Sequence, residues 1–170
     1  MITNSKFSVL KNNFDPYMSM KELSAISCKP HGMAWSVDNS SLFLSDGHTR
    51  AVTKCDYNLY NPDVSDCQTI LTVTEEMSSI AVPKGIATDE NNHIWVVVAN
   101  NDGKGAVLEI DPETSNIIST IGKAFIHIFL TTRVISELED PDLVDIVFGG
   151  EDMDFLYILS TKHLYKMTGN

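Results

Sequence analysis

The residues able to do chemistry in this 170-residue chain are scattered, and most familiar spacings fail. Cys28, Cys55 and Cys67 lack the close pairing of a metal-thiolate site. With three thiols one stays unpaired in any disulfide scheme, and reduced cysteines are the expectation. Asp89-Glu90-Asn91-Asn92-His93-Ile94 opens like a calcium-wrapping loop, but Ile94 stands where the sharp turn needs glycine, so that reading is rejected. No Gly-x-Ser-x-Gly segment presents a serine nucleophile, and no glycine-rich loop cradles phosphate. The lone sequon Asn39-Ser40-Ser41 matters only with a secretion signal, and residues 1–13 hold no apolar stretch of signal-peptide length. No run approaches the ~18 apolar residues of a membrane helix, so a cytoplasmic chain without a membrane partner is expected.

Charge narrows the field further. With 23 acidic against 12 basic side chains the net charge is −11. That excludes nucleic acid as an electrostatic partner, since such binding needs a basic footprint. It is compatible with cation binding, although solubility is the plainer role.

The elements that must position any site are short strands. Hydrophobic residues make up 43% of the chain, with valine, isoleucine, threonine and aromatics gathered in short runs. The segment 31–36 leads through a polar turn to Leu42-Phe43-Leu44, then through Asp46-Gly47-His48-Thr49 to a strand over 52–56. The same order returns at 86–96 and 107–110, and again at 149–158 and 164–167. Phe43, Trp95 and Tyr157 hold corresponding places, and the second interval is the longer. A repeat of roughly 40–50 residues with several strands in each unit is the pattern of propeller blades. Segment 58–66 reads as a polar loop, 69–73 as a strand, and Trp35 and Trp95 as blade-core aromatics. Upstream, Lys6 to Leu10 is a strand candidate, and Met18 to Ile26 reads as either a strand or a helical turn. Residues 123–145 form an insertion expected to hold an added strand and a short helix; exposed at an edge, it would be association-prone.

On these residues the chain resembles the regucalcin, gluconolactonase and luciferin-regenerating enzyme family, the senescence marker protein group. The family's Asn-Gly-[Leu/Met]-x-Trp-Ser segment corresponds to His31-Gly32-Met33-Ala34-Trp35-Ser36, followed by Asp46 and Asp56-Tyr57-Asn58. Its Pro-Asp-Gly segment corresponds to Pro83-Lys84-Gly85-Ile86, followed by Asp89, Ile94, Trp95 and Val96. Val107 to Ser115, Phe148-Gly149-Gly150 and Tyr165-Lys166-Met167-Thr168-Gly169 complete the order. The resemblance runs over about residues 30–170 and corresponds to the family's C-terminal half. It implies an all-β fold: one domain over 1–170, a partial six-bladed β-propeller of about three blades.

The resemblance also implies a divalent cation in the central pocket, calcium or zinc, that polarises a sugar-lactone carbonyl while a carboxylate activates water. In the family the cation lies between a first-blade Glu, the Asn of Asn-Gly and the Asp of Pro-Asp-Gly, which is also the general base. Here His31 occupies the Asn position and Lys84 the Asp position, and the Glu belongs to a region preceding this chain. An ammonium in place of a carboxylate opposes a dication, and imidazole shifts preference from calcium toward zinc. His31 and Lys84 remain the candidate metal positions, Lys84 the candidate catalytic one, and Asp46, Asn100 and Asn101 the candidate pocket residues. Two readings follow: a metal-dependent lactone hydrolase with a small-molecule lactone as partner, or a non-catalytic half-propeller, a pseudoenzyme that closes as a homodimer through open edges.

Overall fold

The computed structural model describes residues 8–10, 20–22, 30–60, 63–75, 77, 81–99, 105–122, 133–136 and 142–168. The described residues form strands and turns and no helix. β1 (Ser8–Leu10) and β2 (Met20–Glu22) pair as a small antiparallel ribbon. Both fall inside the upstream strand candidates, and β2 takes the strand alternative over its three residues.

Three larger sheets follow in chain order. The first is an antiparallel meander of β3 (Pro30–Trp35), β4 (Ser41–Asp46), β5 (Ala51–Tyr57) and β6 (Val64–Thr72). The second contains β7 (Val82–Thr88), β8 (Ile94–Ala99), β9 (Gly105–Asp111) and β10 (Asn116–Ile121). Its edge carries a fifth, parallel strand, β11 (Arg133–Ser136). That is the added strand expected within 123–145; the short helix expected beside it lies outside the described residues. The third sheet is the meander of β12 (Leu143–Gly149), β13 (Phe155–Ser160) and β14 (Leu164–Thr168). Sequential meanders stacked face to face are propeller blades, and the fold is a partial all-β propeller.

Packing follows from the two-residue period of strands. Ile94, Val96 and Val98 of β8 face the first sheet, joining Phe43, Val52 and Leu71 in one core. Val97 and Ala99 face the third sheet, joining Leu143, Ile146, Leu156 and Ile158 in another. A strand buried on both faces needs apolar residues at every position, which is why 94–99 reads as an unbroken apolar run. The repeated aromatics follow this geometry: Phe43 fills the seam toward the second sheet, and Trp95 packs edge-on against Phe148 of the third at 6.0 Å.

Three expectations are corrected. The loop over 58–66 ends early, because β6 begins at Val64. Val64 is buried beside Leu42, Leu44 and Cys55, but residues 65–69 are exposed on this outer strand, so no alternation marks it in the sequence. Cys55 and Cys67 are not reduced thiols: they form a disulfide between β5 and β6, with Cα atoms 4.0 Å apart. The register irregularity between Lys54 and Asp56 brings them opposite each other. Such a bond belongs to oxidising surroundings more than to a cytosol. Trp35, expected in a blade core, is 36% exposed and rests on Tyr57, its ring centroid 4.3 Å away.

Candidate functional site

The first strands of the three sheets are neighbours, with β7 between β3 and β12. Each carries one ionisable residue near its start: His31 on β3, Lys84 on β7 and Asp145 on β12. The strands approach closely because glycines face the neighbours. A Cβ on Gly32 would sit 2.9 Å from the Lys84 carbonyl oxygen, and one on Gly85 would sit 2.0 Å from Asp145 Oδ1. Ser45, fully buried on β4, donates its hydroxyl to the same Lys84 carbonyl and so ties the first sheet to β7.

His31 is exposed, yet its ring is held. Nδ1 lies 3.1 Å from the Pro83 carbonyl, an acceptor only, so Nδ1 carries the proton and Nε2 is left as the ring's acceptor. Gly47 permits this placement: a Cβ there would meet His31 Cε1 at 2.1 Å. Lys84 is half-buried. Asp145 is exposed, and its Oδ1 accepts the backbone N–H of Ile146 at 2.9 Å. The structure therefore brings His31 and Lys84 onto adjoining strands and adds Asp145. Asp145 was missed in the sequence, where it reads as the end of an insertion. The signal that finds it is positional, because it stands near the start of the third sheet's first strand as Lys84 does in the second.

Asp46 is 3% exposed, and its Oδ1 accepts the backbone N–H groups of His48 (2.7 Å) and Thr49 (3.3 Å). It shapes the β4–β5 turn, the turn that also carries Gly47. Asn100 and Asn101 lie outside the described residues. An open depression of about 380 Å³, lined by Asp38, Tyr57, Tyr60 and Ser65 among others, lies at the opposite end of the first sheet from His31.

The side chains on offer at this end are those of His31, Lys84 and Asp145. Calcium wants six to eight oxygen donors, and this set offers one imidazole, one ammonium without a lone pair and one carboxylate. Among the described residues a different group has metal-ligand geometry: Asp89, His93 and Glu109, whose donor atoms lie within 4.8 Å of one another. Asp89 and His93 come from the β7–β8 turn and Glu109 from β9, so the group is about five strand positions from Lys84, roughly 17 Å.

The relatives of this chain have the same architecture. The SMP-30/Gluconolactonase/LRE-like region matches residues 12–162. Regucalcin of Gallus gallus is 27% identical over 132 residues, which are 78% of this chain and 37% of regucalcin. A protein of Sulfolobus acidocaldarius is 30% identical over 132 residues, again 78% of this chain and 40% of the relative. The chain thus spans about two fifths of these relatives' length. Among solved structures, a luciferin-regenerating enzyme superposes with a TM-score of 0.69 at 23% identity, covering 95% of this chain and 51% of that one. A gluconolactonase from Xanthomonas campestris superposes at 0.67 and 12% identity, covering 98% and 45%. At these identities the superpositions establish the fold. With a family match spanning most of its length and the propeller sheets in place, the chain belongs to the SMP-30/gluconolactonase/LRE-like family.

Proposed function

We propose that the end of the propeller bearing His31, Lys84 and Asp145 binds a small polyhydroxylated ligand of the sugar-lactone class without organising a cation between His31 and Lys84. Family membership supports the ligand class. The single observation that carries the reading is the placement of Lys84 on the middle of three adjoining first strands, flanked by His31 and Asp145. An ammonium supplies up to three hydrogen-bond donors, the imidazole an acceptor at Nε2, and the carboxylate a strong acceptor. Such a mixed set suits ring hydroxyls and a lactone carbonyl, while the ammonium repels a dication. Nothing in this set supplies the metal-activated water that family hydrolysis uses. The chain is thus read as a binding member of a hydrolytic lineage.

The test is lactone hydrolysis by the purified chain with and without calcium and zinc, beside calorimetric titration with a sugar lactone and its aldonic acid. Saturable binding that is lost in Lys84→Ala, with turnover at background, is the expected result. Metal-stimulated turnover would overturn it. Lys84→Asp with His31→Asn is expected to create calcium affinity if the remaining oxygens are in place.

A second reading, association with a second copy, is favoured by the outer face of the third sheet. Val147, Leu159 and Leu164 share that face and are 58%, 43% and 66% exposed. A light-scattering mass that doubles with concentration, and stays single in Leu159→Glu, would support it.

A further inference from the structure

The strongest unexplained cluster lies at the other end of the β7–β8 hairpin. Asp89 Oδ1 accepts the backbone N–H groups of Asn91 and His93, both at 2.9 Å, which pins the turn. Asp89 Oδ2 accepts the Trp95 indole N–H at 2.9 Å. His93 Nδ1 lies 3.0 Å from Glu109 Oε1 and 3.9 Å from Asp89 Oδ2. The other Glu109 oxygen takes the hydroxyl of Ser119, itself buried.

Hydrogen bonding accounts for the shape of this group but not for its charge. The Asp89 and Glu109 side chains are only 12% and 13% exposed. Among the described residues no lysine or arginine pairs with either carboxylate. Partly buried charge of one sign is costly unless a counter-ion meets it.

We propose that Asp89 Oδ2, His93 Nδ1 and Glu109 Oε1 form a three-ligand site for a borderline divalent metal of the zinc class, separate from the His31–Lys84 end. Donors around a tetrahedral zinc ion stand about 3.4 Å apart, given bonds of about 2.0–2.1 Å. The two separations from His93, 3.0 and 3.9 Å, bracket that value, and all three donor atoms lie within 4.8 Å of one another. Trp95 and Ser119 act as the outer shell, aiming the two carboxylates as metal sites require. One nitrogen and two oxygens are too few for calcium and suit zinc or cobalt, with water in the fourth position. The metal would rivet the β7–β8 turn to β9.

The site is tested by equilibrium dialysis of the chain against zinc, with metal counted per chain, and by the visible d–d bands of the cobalt form. One equivalent per chain and a four-coordinate cobalt spectrum are expected. Glu109→Gln and His93→Gln should each weaken zinc binding by at least about tenfold, as should Ser119→Ala through loss of the outer shell. The His31→Ala/Lys84→Ala pair should leave it unchanged, so this result stands or falls separately from the lactone reading. On the unaltered chain, zinc should protect His93 from diethyl pyrocarbonate, read by mass spectrometry. No zinc uptake at millimolar metal, unprotected His93, undiminished uptake in folded Glu109→Gln and His93→Gln, or loss in the His31/Lys84 pair would each overturn the proposal.

Discussion

The second and third sheets use the same alternating strands and meet different fates. Every position of β8 from Val96 to Ala99 is buried, because the second sheet has a neighbour on each face. In the third sheet Ile146, Leu156 and Ile158 are buried against the second, while Val147 and Leu159 on the other face stay exposed. The first sheet adds a third solution: its outer strand is fastened by Cys55–Cys67. A blade is therefore not a self-sufficient unit, since what its strands stabilise depends on the neighbour they meet.

The sharpest way to break this comparison is to truncate one side chain in each region. Leu108→Ala, fully buried in the second sheet, should cost about 2–5 kcal/mol in denaturant unfolding. Leu159→Ala, 43% exposed on the open face of the third, should fall within about 1 kcal/mol of the parent. Equal losses would mean that the open face is covered in solution. Next in size is the covalent fastening. Cys67→Ser opens a closure of 12 residues and should lower stability by about 2–3 kcal/mol. The loss should vanish when both proteins are measured in reductant.

Trp95→Phe sharpens the seam between the second and third sheets. The ring keeps its contact with Phe148, while Asp89 Oδ2 loses the indole donor, for an expected loss of about 1–2 kcal/mol. A loss near zero would show that water replaces the indole. The smallest effect concerns the β3–β4 turn. The Ser36 hydroxyl first, then the Ser40 N–H and hydroxyl, hold the Asp38 carboxyl down from its ordinary 3.8 to about 2. A depressed carboxyl binds fewer protons in the folded state. Its contribution is therefore present above pH ~4 and lost as pH falls through about 2. Asp38→Asn should flatten the pH dependence of stability in that window, and an unchanged slope would discount the turn.

Much of the propeller was legible along the chain. Turn residues at Asp46-Gly47 and Asp89 to Asn92 punctuate it, and the doubly buried β8 shows as a continuous apolar run. The outer strand β6 was hidden because a solvent-facing edge imposes no alternation. Two of the three residues of the candidate site were legible too, since His31 and Lys84 stand at recognisable motif positions, but Asp145 was not, lying where the repeat is interrupted. The disulfide escaped because a sequence separation of 12 says nothing of a bulge that sets two strands in register.

What the sequence determined by itself is local: which stretches extend, where they turn, and that the Lys84 position carries an ammonium. Those properties follow from side-chain volume, backbone preference and charge, and need no partner. Only the tertiary structure decided which face of each strand meets another sheet, that His31, Lys84 and Asp145 adjoin, and that Asp89, His93 and Glu109 converge. Convergence depends on register and on the closeness that Gly32 and Gly85 allow between first strands, and these are properties of pairs of segments rather than of any one.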